Sequence, residues 1–115
     1  MKTTYAREEA ERLLPLLRSI GREIRFRSGE ATRLQNRIAA LFPTRHVHGE
    51  ELRRLEAELA TQRRELRLSE RELARLGCRL DRRAVAKILI PAGREDHVVE
   101  GFLAQTRFTP APLAS

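Results

Sequence analysis

Two runs of apolar residues at heptad spacing constrain this chain more than any other feature. With Ala10 at position a, the a positions are Ala10, Leu17, Ile24, Ala31 and Ile38, and the d positions are Leu13, Ile20, Arg27, Leu34 and Leu41. Only Arg27 breaks the pattern, so one face of a helix carries a continuous apolar seam. A second run has a at Leu52, Leu59, Leu66 and Leu73, and d at Leu55, Gln62, Ser69 and Leu76. Between the runs lies FPTRHVHGE, residues 42–50, which Pro43 and Gly49 punctuate as a turn. The spacing predicts helix one over 6–41 and helix two over 49–76, with Gly77 in the left-handed cap position. A short connection between long helices makes them antiparallel neighbours.

The register can be worked out from the turn. Leu41 should meet Leu52, Ile38 meet Leu55, and Leu34 meet Leu59; further along, Ile20 meets Leu73 and Leu17 meets Leu76. Every a then meets a d. The middle is polar: Ala31 faces Gln62, Arg27 lies by Leu66, and Ile24 faces Ser69. Polar seam residues serve to specify register, and that reading is favoured here, with Arg27 reaching out to a flanking Glu. The sharper alternative is a site, or a place where the helices splay.

Helix one carries Pro15 inside LLPLL, where a proline removes a hydrogen bond and crowds the preceding turn. Pro15 falls at f, the position farthest from the seam. A bent but unbroken helix is expected, curving toward whatever lies against Leu13 and Leu17.

After Gly77 the pattern changes. β-Branched runs flank a Pro-Ala-Gly turn signal, which predicts strands over 85–90 and 97–104 within a C-terminal segment spanning 78–108. Asp81 could instead cap a short helix. A two-stranded hairpin is not stable alone and must lie on the helices or pair with another subunit. The tail TPAPLAS, residues 109–115, is expected to be disordered. The fold class is therefore mainly α: a long, coiled-coil-like antiparallel helical hairpin followed by a short β-hairpin or extended segment. At 115 residues, the whole is expected to form a single domain over 1–115.

The opening of helix one, Tyr5-Ala6-Arg7-Glu8-Glu9-Ala10-Glu11-Arg12-Leu13-Leu14-Pro15, resembles the start of a bacterial family. The family is domain of unknown function twenty-two-zero-three, whose members open with an aromatic, a Thr cap, two acidic residues, an Ala and Leu-Leu-Pro. The close of helix two, ELARLGCRL, is similar to the family's charged helix ending in Leu-Gly. Ile88-Leu89-Ile90-Pro91 is similar to the extended stretch that follows. The resemblance spans roughly residues 5–91 and implies the fold, but no activity. Ala6 stands where the family has its capping Thr, and GFLAQTRF replaces the family's C-terminal Trp-His-Glu and Phe-Ala-Gly-Arg motifs. A function resting on those motifs would not carry over.

Candidate chemistry is sparse. His46 and His48 fall in the turn and His97 is remote, with no Glu-x-x-His of the kind that builds metal sites in bundles. No phosphate-binding glycine loop or nucleophile pattern occurs, so no cofactor, metal or catalytic residue is expected. Cys78 alone excludes an internal disulfide and fits a reducing compartment as a buried small residue. No N-terminal run of signal-peptide or membrane-span length lacks Arg or Glu, and a cytoplasmic location is expected.

Charge offers two candidate surfaces. Glu51, Glu58, Glu65 and Glu72 all occupy g of helix two, and Glu9, Glu23 and Glu30 occupy g of helix one, as does Arg37. In an antiparallel pair g faces g, so two acidic rows flank one groove and ask for a basic partner surface, such as a second copy. The plainer reading is a solvated edge relieved by Arg neighbours, Glu51 with Arg54 and Glu72 with Arg75. On the other side Arg53, Arg64, Arg67, Arg71 and Arg75 form a basic stripe, continued by Arg79, Arg82 and Arg83 and interrupted by Glu56 and Glu70. With a net charge of +7 and a pI near 11.1, Arg64, Arg67, Arg71 and Arg75 could track a phosphate backbone, although no aromatics interleave them.

The leading expectation is a non-enzymatic interaction or assembly protein, associating with itself or with another protein. Leu14, Leu16, Phe26 and Leu68 lie off the seam and motivate it. Nucleic-acid binding is the alternative, and an enzyme or metal protein comes last.

Overall fold

The computed structural model describes residues 4–81, 87–92, 95–100 and 106–107. Helix α1 runs Arg7–Leu41 and helix α2 runs Gly49–Arg75. They are joined by one 3₁₀ turn over Phe42–Thr44. Four short strands follow: β1 Arg79–Leu80, β2 Lys87–Ile90, β3 His97–Glu100 and β4 Thr106–Arg107. They form one antiparallel sheet in the order β1-β2-β3-β4. The two long helices pack together as a hairpin. The chain divides into two compact units, Glu23–Ser69 and Met1–Arg22 with Glu70–Ser115.

The unit Glu23–Ser69 contains the turn. Ala31, Leu34, Leu55 and Leu59 form its buried cluster, with Ile38 and Leu41 packed against it. All six are a or d residues, and they include the expected partners Leu34 with Leu59 and Ile38 with Leu55. A fully buried leucine contributes roughly 2 kcal/mol by removal of apolar surface from water. Pro43 lies in the first turn of this 3₁₀ element, where a missing N–H costs nothing. The Thr44 hydroxyl donates to the Leu41 carbonyl at 3.0 Å, and the Arg45 guanidinium lies 4.5 Å from the Phe42 ring centre. His48 is the residue before α2, and its carbonyl accepts the first helical bond from Leu52 N–H at 2.9 Å.

The other unit joins the start of α1, the end of α2 and the sheet. Ala6 caps α1: its carbonyl accepts from Ala10 N–H at 2.9 Å, and its own N–H donates to the Glu9 carboxylate at 3.1 Å. This is the backbone half of a capping box, without the hydroxyl that would complete it. Helix α1 continues through Pro15, which is exposed to solvent. Gly77 ends α2 with φ 76°, donating to the Ala74 carbonyl at 2.9 Å while Cys78 N–H donates to the Leu73 carbonyl at 3.0 Å. Those two bonds define a Schellman motif, and its usual apolar contact is available because Leu73 and Cys78 are both buried.

That motif redirects the chain directly into β1. The sheet is therefore larger than the two-stranded hairpin expected from the sequence: β1 and β4 cover the edges of β2 and β3, which alone would leave ladder groups unpaired. Register places Ile88 opposite Val99 and Ile90 opposite His97, so these four share one face, and all four are buried. Asp81 N–H donates to the Lys87 carbonyl at 3.0 Å, extending the β1–β2 pairing, and the short helix that Asp81 could cap would fall outside the described residues. Residues 85–86 and 101–104 of the expected strands, and the tail 109–115, lie outside the described residues.

Candidate functional site

The middle of the Glu23–Ser69 unit carries its polar seam. Arg27 sits at d, where a leucine would normally pack, and its side chain bridges Glu23 at g and the seam residue Gln62. Its Nε donates to Glu23 at 2.8 Å and its Nη1 donates to the Gln62 side-chain oxygen at 3.0 Å. The guanidinium also lies 5.4 Å from the Phe26 ring centre. Ile24 and Ser69, expected to face each other, are both buried. Arg27 and Gln62 are therefore paired within the hairpin, and Arg27 reaches a flanking glutamate.

The acidic edge divides into paired and unpaired members. Arg37 donates to Glu51 at 3.2 Å from across the hairpin, and His48 lies 4.0 Å from the same carboxylate. Glu23 and Glu30 pair with Arg27 and Arg33. Glu58, Glu65 and Glu72 form no ion pair among the described residues, and neither Glu51 with Arg54 nor Glu72 with Arg75 comes within pairing distance. Of the stripe, Arg64, Arg67, Arg71 and Arg75 are all exposed and likewise without an ion pair. Arg82 and Arg83 lie outside the described residues.

Apolar groups also reach solvent. Leu16 is 46% exposed, Phe26 55% and Leu68 47%, while Phe42 and Val47 are exposed in the turn. Leu14 is half-buried.

The other unit has a tightly tied N-terminal segment that sequence reasoning missed. The Tyr5 hydroxyl donates to the Leu76 carbonyl at 2.6 Å, and Tyr5 N–H donates to the Pro91 carbonyl at 2.7 Å. His97, 2% exposed, places Nε2 3.0 Å from the Tyr5 carbonyl, so this nitrogen carries the proton and donates. One residue thus anchors to the end of α2 and to the strand region. The available signal was an aromatic immediately before the helix cap, the staple position. A second missed contact is Arg79 to Asp96 at 2.6 Å, which joins β1 to the residue before β3.

Cys78 is 4% exposed, and burial pushes its thiol from the ordinary 9.0 up to about 11. Burial, followed by the neighbouring Cys78 charge, raises Tyr5 as well. A thiol held protonated is a poor nucleophile. An open pocket of about 320 Å³ lies beside it, lined by Glu70, Leu73, Ala74, Cys78, Arg79 and Leu80. His46 is exposed in the turn and His48 half-buried, neither near His97 in the sequence. Among the described residues no three His, Cys, Asp or Glu side chains group closely enough to hold a metal ion.

Comparison with known proteins supplies the family. A family model described as an uncharacterized conserved protein (DUF2203) matches residues 3–100. The chain belongs to the DUF2203 family. The match takes in both helices and strands β1 to β3 of this DUF2203 chain, including the Tyr5 anchor and Gly77. No curated protein and no solved structure matches it. No helix among the described residues is long and apolar enough to cross a membrane.

Proposed function

We propose that this DUF2203 chain is a non-enzymatic association module that works as a homodimer through its helical hairpin. The observation that carries the reading is the set of large apolar side chains left on the outer helix surfaces, Leu16, Phe26 and Leu68, each about half exposed although the seam itself is filled. Glu58, Glu65 and Glu72, without an ion pair among the described residues, support it, because a basic neighbour would neutralise them. The pairing of Arg27 with Gln62 and a protonated, buried Cys78 favour structural roles over catalytic ones. The lone buried thiol also fits a reducing, cytoplasmic setting. Light scattering on the purified chain at tens of micromolar tests the reading: a dimer mass is expected, and a monomer overturns it.

A second reading is polyanion binding. Arg64, Arg67, Arg71 and Arg75, exposed and without ion pairs among the described residues, favour it. It requires retardation of RNA or DNA at low salt that falls steeply as salt rises and disappears when the four arginines are reversed in charge. No retardation at low salt removes it.

A further inference from the structure

The chain repeats a short pattern: Arg64-Glu65-Leu66-Arg67-Leu68 on α2 matches Arg22-Glu23-Ile24-Arg25-Phe26 on α1. In both, the third residue belongs to the seam and the fifth is a large apolar side chain about half exposed. The two copies differ in one respect. Glu23 is held by Arg27, whereas Glu65 and Arg64 have no ionic partner among the described residues. Leu68 at position c is therefore an exposed apolar residue with an unpaired arginine on its f flank and an unpaired glutamate on its g flank. The Arg-Glu pair recurs one heptad on, as Arg71-Glu72.

Symmetry decides what such a face can meet. If a second copy packs its α2 antiparallel on Leu68, the two-fold axis sets g against g and f against f. Glutamate rows then face glutamate rows and arginines face arginines. If the second α2 runs parallel, the axis lies along the helices and sets g against f. Glu65 then meets Arg64 of the partner subunit, Arg64 meets the partner's Glu65, and the two Leu68 side chains meet on the axis.

We infer that the self-association surface is the Arg64, Glu65, Leu68 face of α2, which takes a second copy of the same helix side by side and parallel. This inference rests on the homodimer reading and specifies its geometry.

Two experiments on the full-length chain test it. Thr61 is exposed and lies one heptad before Leu68, so parallel pairing brings the two Thr61 positions together. Antiparallel pairing centred on Leu68 separates them by about 20 Å. A Thr61→Cys variant should form a disulfide-linked dimer under mild oxidation, while the wild type, whose Cys78 is buried, should not. In the second, Glu65→Arg and Arg64→Glu should each weaken the dimer about tenfold or more, and the double exchange should restore it. In the antiparallel arrangement Glu65→Arg would instead tighten the dimer. A wild type that is monomeric by light scattering overturns the homodimer reading and this inference with it. A dimer that does not cross-link at Thr61→Cys, or that tightens in Glu65→Arg, overturns the parallel geometry alone.

Discussion

The Tyr5 hydroxyl donates to the Leu76 carbonyl at 2.6 Å, closing one of the carbonyls that the end of α2 leaves without a helical partner. The bond is partly buried, so losing it should cost about 1 kcal/mol. Tyr5→Phe keeps the ring and removes only the hydroxyl. Urea denaturation should show a midpoint lowered by that amount with an unchanged slope. An unchanged midpoint would mean that water satisfies Leu76 equally well.

The cap of α1 is half built. Glu9 closes the Ala6 N–H, but Ala6 has no side-chain oxygen to offer the N–H groups of the first turn. Ala6→Ser should therefore stabilise the chain by about 1 kcal/mol, within the usual range for restoring a cap. Thermal unfolding of the pair of proteins reads it directly. A lower melting temperature for Ala6→Ser would count against Ala6 as the cap residue.

These two positions show what was legible in the chain and what was not. Both helices and the left-handed Gly77 follow from apolar period and punctuation, because each depends on residues near in sequence. Arg27 reaching Glu23 and Arg37 reaching Glu51 follow from the same heptad register. Edge strands β1 and β4 were not legible, since two-residue strands carry too few side chains to show a period. The Tyr5 anchor was hidden for a different reason. Its partners, Leu76, Pro91 and His97, are distant in sequence, and two of its three bonds involve backbone atoms alone on the partner side. The candidate surface was legible only as charge rows. Which glutamates keep a partner and which do not depends on side-chain reach across the hairpin.

Two glycines should respond in opposite directions to alanine. Gly29 lies in the interior of α1, and a methyl group there would meet nothing within 4 Å. Gly29→Ala should stabilise by about 0.5–1 kcal/mol, through helix propensity and a less flexible unfolded chain. Gly77 has φ 76°, where a side chain crowds its own carbonyl. Gly77→Ala should destabilise by about 1–2 kcal/mol. Equal effects from both would contradict the left-handed end of α2. A Gly29→Ala variant that loses stability would mean that this position serves something other than helix formation.

Cys78 links the fold to pH. Its thiol stands near 9.0 when exposed and is pushed up to about 11 by burial, so the folded chain holds this proton more tightly than the unfolded chain. The stabilisation from the neutral thiol is then fully present below pH 9.0 and is lost as pH rises through the folded value near 11. Tyr5, also raised, acts with the same sign at higher pH. Denaturation midpoints should therefore fall across this window in the wild type, and fall less steeply in Cys78→Ala, which retains only the Tyr5 share. The same burial protects the thiol. An aromatic disulfide reagent at pH 8 should label native protein far more slowly than urea-unfolded protein, because both access and thiolate fraction are reduced. Equal labelling rates in the two states would show that Cys78 is open to solvent and that the contact it makes as the last residue of the Schellman motif is not closed.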